Sequence, residues 1–235
     1  MKPIKSIIIE GVDRLGKDTL INNIMNKLGF FQTVHFQKPS LLEAYVDDVK
    51  QFYGEDFSKS KAGVNQALEL YQRRSFSMML DMLGSPARFI FNRAHLGEVV
   101  YSHYREYDGS YVFDLEKKAI EAGSDFHETT LLILLHTSDF SFIKDDGLSF
   151  DFQKKEEEQD KFIWAFERSK IKYKMMVDVA CNQQFVPANV ISRTVTQMIE
   201  TFPTLEKHFA TVRWEQNGDE FERKLDLQID PQNVF

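Results

Sequence analysis

The run Glu10-Gly11-Val12-Asp13-Arg14-Leu15-Gly16-Lys17-Asp18-Thr19 carries the most specific chemistry in the sequence. Its Gly11-x-x-x-x-Gly16-Lys17 spacing is that of a phosphate-binding loop. Glycines let the backbone curl until several N–H groups face phosphate oxygens, and Lys17 adds a point charge near the β and γ phosphates. A helix starting at Lys17 would turn its amino terminus, with its partial positive charge, on the same anion. Asp13, Arg14, Leu15, Gly16, Lys17, Asp18 and Thr19 are therefore the candidate residues for holding ATP. The position after the lysine is usually Ser or Thr, whose hydroxyl ligates Mg²⁺; here it is Asp18, followed by Thr19. A carboxylate holds hydrated Mg²⁺ through water, because this ion keeps several waters. Asp18 and Thr19 are thus the candidate metal residues, with a ligand from elsewhere in the chain left open.

These residues need a strand before them and a helix after them. Residues 6–10 read as a short strand, apolar on both faces. Ile21, Ile24, Met25 and Leu28 recur at helical spacing after the loop, and Gly29 ends that helix. Further strands are expected at 33–36, 88–91, 130–136 and 173–179. Helices are expected at 41–52, 64–83, 114–122, 154–172 and 187–202, and 94–107 reads as mostly helical. Strands alternating with helices predict an α/β fold with a five-stranded parallel sheet and helices on both faces. The segment 139–160 contains a polar stretch with scattered Phe and reads as a lid. Asn217-Gly218 between two alternating runs predicts a C-terminal β-hairpin. The domain is expected to span 1–205, with 206–235 as a hairpin appendage. An edge of the main sheet and a dimer contact are the other placements open to the hairpin.

Composition excludes several classes. The net charge is −7, whereas a general nucleic-acid binder needs a basic surface to displace counterions. A nucleotide enzyme needs only a few local cations. The single cysteine, Cys181, permits no intrachain disulfide and reads as a small, partly buried thiol. No apolar segment is long enough to span a bilayer, and the run 7–9 is too short for a signal peptide. A reducing cytoplasm is the expected setting, with no membrane and no nucleic acid as partner.

The stretch 7–19 resembles the opening of thymidylate kinases, which carry an Asp inside the loop and, in one subclass, an Arg directly after it. Both occur here, as Asp13 and Arg14. The Gly-Lys-Asp-Thr ending also resembles bacteriophage deoxynucleoside monophosphate kinases. Phe36-Gln37-Lys38-Pro39 is similar to the family's segment after the second strand, with Lys38 where a phosphate-contacting Arg is common. Tyr71-Gln72-Arg73-Arg74 resembles the helix whose Arg binds the acceptor phosphate, and Phe89 to Arg93 resembles the strand ending in Asp-Arg. The continuation through His95, Glu98 and Tyr101 resembles phage and viral relatives. The likeness runs over roughly residues 5 to 200. Asn92 departs from it, replacing the usual Asp. So does the lid, which has no arginine between positions 139 and 161 and offers only Lys144, Lys154 and Lys155.

The resemblance implies a nucleoside monophosphate kinase fold of the phosphate-loop type. It implies ATP with Mg²⁺ as donor and a deoxynucleoside monophosphate as acceptor, dTMP first. A phage-encoded enzyme in the host cytoplasm fits, and so does a homodimer. Arg14, Lys17 and Arg93 are the expected catalytic residues. Asp13, Phe36, Lys38, Tyr71, Arg73, Arg93, His95, Glu98 and Tyr101 are expected around the acceptor. Within that set Asp13 meets the sugar 3′-hydroxyl, Tyr101 disfavours a 2′-hydroxyl, and Tyr71 or Phe36 stacks on the base. Arg74 competes with Arg73, and a structural role competes for both His95 and Glu98. Lys154 to Glu158 reads most simply as a solvated helix face. Two rival functions remain: a deoxynucleoside kinase, and a nucleotide-binding protein impaired in catalysis.

Overall fold

Strand β1 (Ser6–Glu10) is buried along its whole length because it lies inside the sheet with both faces covered. Around it run β2 (Gln32–His35), β3 (Phe89–Asn92), β4 (Thr130–His136) and β5 (Tyr173–Asp178). The computed structural model describes residues 2–29, 31–35, 61–105, 107–143 and 152–228. Phe36, Lys38, Lys144 and the helix expected at 41–52 lie outside these residues.

Strand β1 pairs in parallel with β3 and β4, so that Ile8 faces Phe91 on one side and Leu132 on the other. Ile7, Ile8, Ile9 and Leu131 to Leu134 have no exposed surface. Burying a side chain of this size contributes about 1.5–3 kcal/mol, so the centre of the sheet is its most stable part. Parallel pairing also brings the carboxyl ends of β1, β2, β3, β4 and β5 to one edge. Ligands of open α/β sheets bind at that edge.

Helix α1 (Lys17–Leu28) packs on α7 (Ala188–Thr201). Helix α2 (Lys61–Gly84) packs on α4 (Tyr111–Glu121) and the short α5 (Phe126–Thr129). Helix α3 (Leu96–Tyr101) packs on α6 (Phe152–Arg168), and a 3-10 turn at Ser102–Arg105 follows it. The second part of the expected lid, from Phe152 onward, is therefore the start of a helix. Among the described residues, no helix is long and apolar enough to cross a membrane.

The carboxyl-terminal hairpin sits at the edge of the main sheet. Strand β8 (Phe209–Asn217) lies beside β5 as a sixth parallel strand, and β9 (Glu220–Gln228) closes the edge antiparallel to it. The sheet order is β2-β3-β1-β4-β5-β8-β9. Ala210 and Val212 are fully buried. The Trp214 indole N–H donates to the Asp178 carbonyl at 2.7 Å, joining β8 to the end of β5. A second, two-stranded ribbon, β6 (Ala180–Cys181) with β7 (Gln184–Phe185), follows β5 and had no strand signal in the sequence.

Removing residues 206–235 would strip β8 from β5 and expose Met175 and Val177, both now without accessible surface. The truncated chain is expected to lose its cooperative thermal transition and to aggregate in size-exclusion chromatography. A cooperative melt at the full-length temperature would show that the hairpin is dispensable.

Candidate active site

The loop of residues 11–16 leaves β1 through a constraint that only glycine meets. Gly11 has φ +134°, and a Cβ there would lie 2.4 Å from the Leu135 carbonyl oxygen of β4. Arg14 and Gly16 then take φ 74° and 78° before α1 begins. The Gly16 carbonyl accepts the Leu20 N–H at 2.9 Å, and no side chain caps the helix start. The amide groups of that first turn are therefore available to an anion.

The Lys17 ammonium closes the loop, donating to the carbonyls of Gly11 at 2.9 Å and Val12 at 2.7 Å. Its nitrogen stands 4.0 Å from Asp13. Burial lowers the Lys17 pKa to about 8, with Arg93 adding to the effect. A cation held in this way is primed for a phosphate, which returns the charge that burial removes.

Arg93 sits just past β3 with φ 65°. Among the described residues four non-glycine positions have positive φ, and two of them are Arg14 and Arg93. Left-handed backbone at such residues costs about 1–3 kcal/mol and persists only where the surroundings enforce it. Here the enforcement is visible. The Arg93 N–H donates to the Ile9 carbonyl at 3.0 Å. The Glu10 carboxylate accepts from the N–H groups of Ala94 at 2.8 Å and Leu96 at 3.2 Å. Glu10 has no exposed surface, and its second oxygen has no partner among the described residues. Burial pushes the Glu10 pKa up, opposed first by His95 and then by the Ala94 N–H bond and by Lys17 and Arg93 nearby. The turn held by Glu10 aims Arg93 across the loop, where its guanidinium is ion-paired with Asp13. Residues 80 positions apart in sequence thus meet at the mouth of the phosphate loop.

Asn92, the last residue of β3, donates its amide to the Asp18 carboxylate at 2.5 Å. The same nitrogen lies 3.1 Å from Nδ1 of His35, the last residue of β2. The Asn92 amide oxygen is buried with no partner among the described residues. Thr19 is exposed, and its carbonyl accepts the Asn23 amide at 2.8 Å.

Tyr101 lies within electrostatic reach of Asp13, Arg93 and Glu10, edge-on to Phe162 of α6, with its hydroxyl 3.5 Å from Glu158. Burial, and then Glu158, raises its pKa well above the ordinary phenol value. The stretch 154–158 is not a uniformly solvated face. Lys155 and Glu158 are buried and paired at 2.8 Å, whereas Lys154, Glu156 and Glu157 are exposed. Periodicity hid this because the two buried residues are charged; their spacing of three was the available signal. At the base of the expected lid, Gln159 exchanges two hydrogen bonds with the Thr137 backbone, at 2.8 and 2.9 Å.

His95 and Glu98, expected around the acceptor with a structural role as the alternative, are both buried. His95 has no exposed surface, and its Nε2 lies 2.7 Å from Glu116, which also accepts from Ser169 and Lys170. The Glu98 carboxylate accepts the hydroxyls of Tyr107 and Tyr111. Both side chains knit the start of α3 to α4. Arg73 binds Glu69 at 2.6 and 2.9 Å and stacks 3.8 Å over the Tyr111 ring. Arg74 is exposed, and Tyr71 is half-buried. Sequence reading passed over Glu10 and His35. Glu10 directly precedes the first loop glycine, and a carboxylate ending an otherwise apolar strand was the signal for it.

No protein-family model and no curated protein matches this sequence. Among solved structures, the chain is similar to the thymidylate kinase from Ehrlichia chaffeensis, with a TM-score of 0.51 at 14% identity. That likeness covers 84% of this chain and 100% of the other. It is also similar to the YorR protein of Bacillus subtilis, solved in complex with phosphorylated GDP, with a TM-score of 0.52 at 12% identity. There the match covers 86% of this chain and 99% of that one. The chain therefore has a thymidylate-kinase-like fold.

Two outcomes test the site. At pH 8 Lys17 is about half protonated in the free protein. A bound triphosphate raises its pKa, so metal-free ATP binding is expected to take up as much as about half a proton. Calorimetry in buffers of different ionisation enthalpy reads this number, and the uptake should vanish in Lys17→Ala. In the free protein the same shift makes stability rise with pH between about 8 and 10.5, since the folded state there holds fewer protons than the unfolded one. For the second outcome, Glu10→Ala removes the acceptor of two N–H groups and should cost about 2–4 kcal/mol. Glu10→Gln keeps an acceptor oxygen and should lie close to wild type in a urea melt.

Proposed function

We propose that this chain, on its thymidylate-kinase-like fold, transfers the γ-phosphoryl group of ATP to a deoxynucleoside monophosphate, with dTMP as the first candidate. The observation that carries the reading is the Asp13–Arg93 pair set across the phosphate loop. A protein that only held ATP would need the loop and Lys17. The pair adds an arginine for a second phosphate and a carboxylate able to accept a sugar hydroxyl at the loop's mouth, as a second anionic nucleotide requires.

An acceptor phosphate oxygen is already anionic at neutral pH, so the reaction needs no strong general base. That oxygen attacks the γ-phosphorus, the bond to the β–γ bridging oxygen breaks, and ADP leaves. The protein's part is positioning and charge neutralisation. Loop amides and Lys17 hold the donor phosphates, Lys17 exchanging its two carbonyl partners for phosphate oxygens. Arg14 supplies positive charge to the moving group from within the loop. Arg93 grips the acceptor phosphate with the two parallel hydrogen bonds that a guanidinium allows. Asp13 then exchanges Arg93 for the sugar 3′-hydroxyl, and Tyr101 bounds the sugar edge. Arg73, already oriented by Glu69 and Tyr111, is the remaining arginine for the acceptor side.

The residues present fit Mg²⁺. The Asp18 carboxylate, in the first turn of α1, and the Asn92 amide oxygen, without a partner among the described residues, are hard donors. When bound, the ion neutralises charge across the β and γ phosphates.

The experiment is a panel of ribo- and deoxynucleoside monophosphates with ATP and Mg²⁺, run beside thymidine. Formation of a deoxynucleoside diphosphate is expected. A monophosphate formed from thymidine would favour a deoxynucleoside kinase, and no product at all would leave a nucleotide-binding protein without catalysis. Arg14→Ala is expected to lower kcat by about a hundredfold or more while ATP affinity changes little; an unchanged rate removes Arg14 from the catalytic set.

A further inference from the structure

Arg73 and Arg93 belong to different elements, yet both are tied to the six-residue helix α3. Arg93 stands just before it, in the turn that Glu10 holds through the Ala94 and Leu96 N–H groups. Arg73 is reached from the same helix by way of two side chains. The Glu98 carboxylate, only 3% exposed, accepts the Tyr111 hydroxyl of α4 at 2.9 Å. The Tyr111 ring in turn carries the Arg73 guanidinium of α2 at 3.8 Å. Tyr107 donates its hydroxyl to the same Glu98 oxygen, so the carboxylate keeps a donor even without Tyr111.

Close packing fixes this frame. Gly109, between the two tyrosines, lies so near α3 that a Cβ would meet the Glu98 carbonyl oxygen at 2.4 Å and the Ser102 hydroxyl at 2.6 Å. Burial, then Glu98, raises the Tyr111 pKa well above the ordinary phenol value, so its hydroxyl keeps the hydrogen it donates. A buried ring anchored at its hydroxyl presents one face in one orientation, and a guanidinium is attracted to that face. Glu69 cannot replace this contact. It lies one turn back on the same helix, so its bonds hold Arg73 only relative to α2. Tyr111 relates Arg73 to α3, and hence to Arg93.

We propose that Glu98 and Tyr111 are positioning residues for the acceptor nucleotide: through them, α3 sets where Arg73 stands relative to Arg93. The role at the acceptor rests on the nucleotide-kinase reading; the coupling from Glu98 through Tyr111 to Arg73 does not. Neither positioning residue touches the substrate. Loosening Tyr111 leaves both arginines in the chain and lets their spacing drift. The acceptor is then held less well and turned over less often, while the ATP side is spared.

The test is a double-mutant cycle of Tyr111→Phe with Arg73→Ala, with Tyr111→Leu and Glu98→Ala beside it. The acceptor is the monophosphate that the wild type phosphorylates fastest. Tyr111→Phe keeps the ring and removes only its anchor. It is expected to lower kcat/KM for the acceptor by about fivefold or more, with KM for ATP within about twofold of wild type. Tyr111→Leu should lower it further. In the Arg73→Ala background, Tyr111→Phe should change little. Nuclear magnetic resonance of the Arg73 Nε–H group reads the stack without substrate. Its ring-current shift should shrink in Tyr111→Phe and in Glu98→Ala and vanish in Tyr111→Leu. Should Glu98→Ala fail to fold, Tyr111→Phe cuts the same bond from the other side. An unchanged shift in Tyr111→Phe overturns the coupling. If the wild type is active but the kinetic losses are additive, the positioning role alone is overturned. If the wild type phosphorylates no monophosphate, the nucleotide-kinase reading falls and that role falls with it.

Discussion

One desolvated carboxylate connects the two halves of the site. Glu10 ends the innermost apolar strand, has no exposed surface, and accepts the two backbone N–H groups that shape the turn after β3. Leaving either of these buried N–H groups without an acceptor would cost about 1–3 kcal/mol. That is enough to hold Arg93 in a left-handed backbone conformation that it would otherwise avoid. The phosphate loop begins at the next residue, so the same side chain lies between the loop and the arginine that crosses it. Gly11 works from the opposite side, where the approach of the Leu135 carbonyl admits no Cβ. Loop, turn and neighbouring strand therefore share one rigid corner.

Charge at that corner is arranged against the chain's overall balance. The protein carries a net charge of −7, yet Arg14, Lys17 and Arg93 gather where three strands end. Lys17 and Arg93 each have a local substitute for phosphate. Lys17 uses two carbonyls, and Arg93 uses Asp13. These partners are weaker acceptors than a triphosphate, so exchange favours the ligand without requiring the site to be built anew. The depressed pKa of Lys17 follows from the same design: burial strengthens its interaction with an anion and penalises its charge until the anion arrives.

The sheet continues well beyond the site. Strand β8 makes β5 an interior strand, so both of its neighbours fix the position of Asp178 and of the ribbon that follows. The new edge, β9, carries Glu220, Glu222, Arg223, Lys224 and Asp226, all exposed. Charged side chains on a long edge strand oppose pairing with another chain. Lys224 pairs with Glu215 across the hairpin, which ties this edge to β8 at the surface.

Local spacing determined what local geometry controls. The phosphate loop, the strand before it, the helix after it and the alternation of strands and helices were legible, because each rests on a few consecutive residues. The hairpin was legible as a turn with two flanking runs, but its placement was not, since pairing with β5 depends on strands 35 residues away in sequence. The face of α3 was equally beyond the sequence. With six residues, that helix is too short for a 3.6-residue period to define a buried side. Packing against α4 turned His95 and Glu98 inward to Glu116, Tyr107 and Tyr111, while packing against α6 left Tyr101 beside the loop. The pairs Asp13–Arg93 and Asp18–Asn92 join segments 80 and 74 residues apart. Residue types at positions 18 and 92 looked in the sequence like two separate departures from a motif. Parallel pairing of β1 and β3 puts them in contact, which no local spacing in the sequence could show.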